Sequence, residues 1–316
     1  MALSMTIVGL GLVGSSIGLA LKQARAEIEI VGHDQDSSVA KRAHKAGAVD
    51  RTEWNLITAC EGAGLILLST PLSEVKKTLK AVASYLKQGC VVTDTASLKV
   101  PVLQWARESL PDTSHFIGGH PIINKPGTDG EAPSAELLSG SVYCLTPSSD
   151  ATPEALQSVS GLAEAVGAKP YFLDAAEHDG LITAVEQMPL LLALVLQETA
   201  GTSPSRREMI QLSGHSFLQV TGLLTEEART LAEPFLLNSD NAVRWLDALA
   251  GRISDLRSML AKQDREGLQQ FLTAVLEARS SWRREIFEGE AVDYSDFGTM
   301  RTMFGQAFGR REKADG

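Results

Sequence analysis

Along the first hundred residues, short apolar runs alternate with stretches in which apolar side chains recur every three or four positions. Residues 5–10 (MTIVGL) predict a strand ending in glycine, and Val13 to Gln23 a helix. A second strand is predicted at 27–34 (EIEIVGHD), then a helix from Ser37 to Ala46 that Gly47 stops. GLILLST (64–70) predicts a buried strand, Leu72 to Leu86 a helix and CVVTDTA (90–96) a further strand. Strands apolar on both faces, alternating with helices, imply a parallel sheet covered on both sides, because only then does each face leave water. HFIGG (115–119), SVYCLT (141–146) and PYFLD (170–174) extend the sheet, with a Pro/Gly-rich loop from Pro121 to Pro133 between the first two.

At Asp174 the pattern changes. Asp174 to Glu177 fits a capping box, and from there to about Glu288 only helical periodicity remains. The expected organisation is a doubly wound α/β domain at 1–172, an all-helical domain at 173–289 and an irregular tail at 290–316. The run 244–282 reads as two long amphipathic helices broken at Lys262 to Asp264, with apolar faces wide enough to pack on a second subunit. A homodimer through the C-terminal helices is expected.

Composition narrows the partners. At 316 residues the chain is long enough for two cores. A net charge of −10 without a Lys/Arg run disfavours nucleic acid. Cys60, Cys90 and Cys144 are odd in number and lie in apolar stretches, which reads as buried thiols in a reducing compartment, and no Cys/His cluster suggests a metal. The N-terminus lacks the features of a signal peptide, and no apolar run approaches the roughly 20 residues that span a bilayer. No membrane partner and a cytoplasmic location are therefore expected.

Gly9, Gly11 and Gly14 form GxGxxG between the first strand and the first helix. The first glycine permits a tight turn, the second lets the backbone approach a pyrophosphate, and the third lets helix pack on strand. Asp34 ends the second strand, 20 residues past Gly14, where a carboxylate accepts hydrogen bonds from ribose hydroxyls and repels a 2'-phosphate. The pattern is that of a Rossmann-type fold binding NAD rather than NADP, with Leu12, Val13, Thr70 and Pro71 completing the cofactor-binding set. Neighbouring His33 could soften the repulsion if protonated, or be a partly exposed strand-end histidine.

Two further segments stand at strand ends: DTASLK (94–99) and GGHP (118–121). With EHDGLITAVEQMP (177–189) and the LDALAGRISDLRSML helix, they give the chain a resemblance to the prephenate/arogenate dehydrogenase family, whose members carry D-x-x-S-x-K followed by G-x-HP. The resemblance implies oxidative decarboxylation of a small cyclohexadienol in tyrosine biosynthesis, with hydride passing to NAD. It implies that His120 takes the hydroxyl proton and that Ser97 bonds the same hydroxyl and helps orient the nicotinamide. Read from the residues alone, His120 could be satisfied by backbone partners, Ser97 could be a helix N-cap, and Lys99 could be a solvated lysine at a helix start. His178 and Asp179 read first as hydrogen-bonders joining the domains.

The chain departs from the family pattern in three places. HPIINKPGTDG has Pro126 where the family carries an acid, EQMPL has Gln187 and Leu190 where imidazoles are expected, and Gly222 replaces an arginine that clamps a substrate carboxylate. Asn124, Lys125, Gln187 and His215 are the candidate substrate contacts, with Lys125, Arg206 or Arg207 as replacement cations. Two other readings are a dinucleotide-binding regulatory relative without turnover and a related dehydrogenase acting on another hydroxy acid.

Overall fold

A computed structural model of the chain describes residues 4–123, 132–148, 150–224 and 227–288. Strands β1 (Ser4–Val8), β2 (Glu29–His33), β3 (Arg51–Thr52), β4 (Leu65–Leu68), β5 (Val91–Asp94), β6 (His115–Pro121), β7 (Val142–Pro147) and β8 (Lys169–Phe172) form one sheet. Their order is β3-β2-β1-β4-β5-β6-β7-β8. Helices α1 (Leu12–Gln23), α2 (Ser37–Lys45), α3 (Leu56–Cys60), α4 (Leu72–Val82), α5 (Val100–Ser109) and α6 (Pro153–Ala165) connect them.

Both faces of the central strands are buried, and the pleat sorts their side chains. Leu65 and Leu67 join Ile7, Ile17, Leu21 and Leu162 in one core, while Ile66 and Leu68 join Val75, Leu79, Val92 and Val102 in the other. Each such side chain contributes roughly 1.5–3 kcal/mol on burial, so a fully apolar strand such as β4 is stable only between two layers of helix. The α/β class is as the sequence pattern implies. The extension of the sheet differs: β7 runs antiparallel to β6, with Ile117 opposite Pro147 and Pro121 opposite Tyr143. The apolar pattern passed over β3 and α3, which are too short to show a period. It also overran α4, whose α-helical part stops at Val82 before the 3-10 turn Ala83–Tyr85.

After β8 come α7 (Ala175–Ile182), a π-helical turn Thr183–Gln187, and then α8 (Met188–Gly201), α9 (Arg206–Leu212), α10 (His215–Thr221) and α11 (Ala228–Leu237). Asp174 caps α7, its Oδ1 accepting from the amides of Ala176 at 2.8 Å and Glu177 at 3.3 Å. Contacts unite everything through Asn238 in one compact unit; α12 (Ser239–Ala261) and α13 (Arg265–Glu288) form a second, broken where Lys262 to Asp264 predict it.

The expectation that no run could span a bilayer needs correcting. The continuous helical stretch Ala175–Gly201 has 27 residues and a mean hydropathy of 1.6 over its most apolar window, which suffices by length and composition. About a third of that window is buried, and within the stretch His178, Asp179, Thr183 and Gln187 are buried and hydrogen-bonded to protein groups.

Asp50 ties the edge of the sheet together, accepting from the Ile30 amide at 2.7 Å and the Lys22 ammonium at 2.5 Å. Burial pushes its carboxyl up, but the Ile30 amide and Lys22 outweigh this and hold it below the usual 3.8. A depressed folded-state pKa means stability that is present above 3.8 and lost as pH falls through the lower value. Asp50→Asn is expected to lower the unfolding free energy measured in urea at pH 7 by less than about 1 kcal/mol, since the pair is half exposed and screened. The difference from the native chain should shrink as pH falls below 3.8 and vanish once the Asp50 carboxyl is protonated in the folded chain too; a difference that does not shrink on acidification would contradict the assignment.

Candidate active site

The turn after β1 is built around contacts that exclude side chains. Gly9 has φ +93°, and a Cβ on it would lie 2.3 Å from the Ser69 carbonyl oxygen; one on Gly14 would lie 2.0 Å from the Gly9 oxygen. At Gly11 the same construction meets nothing within 4 Å, so the first turn of α1 is open there. No side chain caps α1 and no acid lies in its first turn, which leaves the leading amides free for an anion. At the neighbouring strand end the Thr70 hydroxyl is buried without a hydrogen-bond partner among the described residues. Together these features fit a bound dinucleotide pyrophosphate. Asp34 carries part of the turn itself, accepting from the Leu10 amide at 2.8 Å and the Asp36 amide at 2.9 Å. Each oxygen keeps a second lone pair for a ribose hydroxyl. His33 is not partly exposed as expected: it is buried, and its Nδ1 lies 2.9 Å from the Glu53 carbonyl oxygen, because β3 covers it.

Beyond Asp94, β6 outruns β5 and carries Gly118, Gly119 and His120 past the sheet edge with only β7 as partner. This overhang is secured from below. Lys99, fully buried rather than solvated, forms an ion pair with Asp94, and its Nζ donates to the Gly119 carbonyl at 2.6 Å. Asp94 Oδ1 accepts the Gly119 amide at 3.0 Å and Oδ2 the Ala96 amide at 2.9 Å. The lysine stem crosses Gly118, where a Cβ would meet the Thr146 hydroxyl at 2.3 Å and Lys99 Cδ at 3.1 Å. Burial draws the ammonium below its usual pKa range, opposed by Asp94 and Asp179.

The imidazole of His120 is fixed by a chain of acceptors and donors. Asp179 accepts the amides of Lys99 (2.7 Å) and Val100 (2.9 Å), capping α5 from another helix. Its Oδ1 also lies 2.8 Å from His178 Nδ1, so that nitrogen carries the proton and donates. His178 Nε2 is then the acceptor for His120 Nδ1–H at 3.1 Å, which leaves His120 Nε2 with a free lone pair. Burial above all, then His178 and Lys99, holds His120 well below the usual 6.5 and keeps it neutral near pH 7. Such a nitrogen can accept a proton. Glu186, in the π-helical turn, faces it at 3.8 Å.

The remaining sequence-named residues are dispersed. Ser97 is half-buried on the β5–α5 turn with no hydrogen-bond partner among the described residues, and it is not an N-cap: α5 begins two residues later than that role requires, with Lys99 at the cap position. Thr70 and Pro71 follow β4 on the same sheet edge. Gln187 is buried but turned away from His120, its amide donating to the Pro234 carbonyl at 3.5 Å and accepting from Asn238 at 3.4 Å. His215 is exposed in the first turn of α10, and Arg206 and Arg207 are exposed at the start of α9. Asn124, Lys125 and Pro126 lie outside the described residues. His178 and Asp179 read from sequence as hydrogen-bonders between segments, and Asp179 does accept the amides of Lys99 and Val100; the burial of Lys99 and the position of Glu186 were not singled out by sequence, because their partners lie far along the chain, about 80 positions between Lys99 and Asp179.

A doubly wound sheet with an uncapped glycine turn at the start of α1 is a dinucleotide-binding frame, and here a neutral imidazole stands at its carboxyl edge. Residues 17–172 match the family model for the prephenate dehydrogenase nucleotide-binding domain, and 174–274 that for the prephenate dehydrogenase dimerization domain. The chain belongs to the prephenate dehydrogenase family. It is 27% identical over 293 residues to the prephenate dehydrogenase of Lactococcus lactis subsp. cremoris, covering 92% of this chain and 80% of that protein. It is 26% identical to the cyclohexadienyl dehydrogenase of Zymomonas mobilis, covering 86% and 94%. The fold matches the Aquifex aeolicus prephenate dehydrogenase solved with hydroxyphenyl propionate and NAD+ with a TM-score of 0.80, at 22% identity over 89% of this chain and 98% of that one.

Removing one partner of the buried pair leaves an uncompensated charge. Lys99→Met is expected to cost about 3–5 kcal/mol in urea unfolding. Combining it with Asp94→Asn should recover part of that loss, and equal stability of Lys99→Met and the native chain would show that the pair does not hold the overhang.

Proposed function

We propose that this chain oxidatively decarboxylates prephenate or arogenate in tyrosine biosynthesis, with His120 as the proton acceptor. The observation that carries the reading is the free lone pair of His120 Nε2, held at the sheet edge by the Asp179–His178 chain. Bound NAD supplies the hydride acceptor. Gly9, Gly11, Leu12, Val13 and Gly14 would hold its pyrophosphate, Asp34 its ribose, and Thr70 and Pro71 the adjoining strand end. His120 would take the proton of the substrate hydroxyl as the carbinol becomes a carbonyl. A positioned base of this kind contributes about 10² to 10⁴ in rate. Once carbon dioxide has left and the ring is aromatic, the same imidazole would return the proton to the phenolate oxygen, so no proton is gained or lost overall. Ser97, whose hydroxyl is uncommitted, would bond the substrate oxygen. Asn124, Lys125 and His215 remain proposed substrate contacts; Gln187 is better read as bracing the helix behind Glu186.

In this reading 1–172 bind the dinucleotide and 173–289 supply the substrate side and the subunit contact. A homodimer is supported by the apolar side chains left exposed on the helices, Leu212 at 83%, Leu236 at 74% and Trp282 at 62% among them. The three free cysteines are buried, in keeping with a cytoplasmic enzyme.

Turnover is followed as absorbance at 340 nm with NAD and prephenate or arogenate. His120→Asn should lower kcat by at least about 10²-fold while NAD binding is unchanged; full activity in that variant would remove His120 from the mechanism. NADP should bind at least about tenfold more weakly than NAD, because Asp34 repels a 2'-phosphate. Equal affinity would overturn the role of Asp34.

A further inference from the structure

When a buried imidazole takes up a proton, it acquires a positive charge with little water to solvate it. The surroundings of His120 make this worse: the Lys99 ammonium and the His178 ring both disfavour the charged form. Asp179 lies behind His178 and already accepts two backbone amides as well as the His178 ring. Among the described residues, the one carboxyl group that faces His120 Nε2 is Glu186, at 3.8 Å.

Its placement is built into the helix. Between α7 and α8 the backbone widens into a π-helical turn, with the Met188 amide bonding back five residues to the Thr183 carbonyl. Asn238 clasps this turn, its Nδ2 donating to the Thr183 hydroxyl at 2.7 Å and the Asp179 carbonyl at 3.1 Å. Glu186 sits in the turn with its side chain about a third exposed, 36%. Its carboxyl lies 3.8 Å from His120 Nε2 and keeps a path to solvent.

We propose that Glu186 is the counter-ion of the imidazolium that His120 becomes during turnover, a positioning residue acting through His120. The proposal rests on the reading of His120 as proton acceptor. Glu186 is poised to do this without charging the site permanently. Burial pushes its carboxyl up to about 7, so it ionises within the working pH range. The groups facing this pair are Lys99 from the β5–α5 turn, Cys144 from β7 and His178 from α7, and burial keeps the Cys144 thiol protonated, near 11.

The test is the hydride-transfer step in a single turnover, read at 340 nm between pH 5.5 and 9 with NAD and saturating prephenate or arogenate. In the native chain the rate should rise by about threefold to fivefold through pH 7 as Glu186 ionises, the upper end of what one partly exposed charge pair gives. Glu186→Gln should stay near the low-pH value throughout, and Glu186→Asp, which keeps the charge, should restore part of the rise. Native rates and an unchanged pH profile in Glu186→Gln, with His120→Asn inactive, would overturn the proposal and leave the assigned reaction standing. A raised KM for arogenate alone, with the step rate intact, would also overturn it by showing that the carboxylate reads the substrate's ammonium. Full activity in His120→Asn would remove the underlying reading and the proposal with it.

Discussion

The ammonium of Lys99 has no water to turn to, and that constraint organises the site. Buried completely, it must find its hydrogen bonds within the protein, and it finds them in Asp94 and the Gly119 carbonyl. Both partners lie where β6 has outrun its neighbour, so the lysine holds in place a strand end that the sheet no longer supports. Gly118 and Gly119 follow from this, since a side chain at either would strike Thr146, Tyr143 or the Asp94 backbone. His120 is the next residue.

A second carboxylate sets the ring as the first sets the backbone. Asp179 caps α5 and orders His178 with the same oxygens, so the helical region after Phe172 and the β5–α5 turn cannot shift independently without breaking the chain that leads to His120. Neutral hydrogen bonds contribute only about 1 kcal/mol each, but leaving a buried partner unsatisfied costs more, so such a network tends to be all present or all absent. The dehydrogenase family to which the chain belongs gives this rigidity a use. In the proposed reaction a proton acceptor must reach the hydroxyl and the dinucleotide the carbon that bears it, and the residues proposed for these roles follow strands three places apart, β1 and β6.

Some of this was legible along the chain and some was not. The glycine turn, Asp34 and the doubly wound α/β class were readable because they depend on neighbours within about thirty residues, where periodicity and turn chemistry operate. GGHP marked His120 for the same reason. Lys99 was open to reading as a solvated lysine because nothing in its neighbourhood reveals that α7 covers it. Ser97 looked like an N-cap because the true cap, Asp179, comes from another helix 80 positions on. His33 seemed partly exposed because β3, two residues long, leaves no pattern.

By itself, the sequence determined the strand–turn–helix frame, the glycine turn that opens it and the place of His120 at a strand end, all set by local sterics and the burial of apolar faces. Only the tertiary structure decided which nitrogen of that imidazole is free, which lysine is buried and which acid stands opposite. Those depend on hydrogen bonds and desolvation between segments far apart in the chain, and no local pattern encodes them.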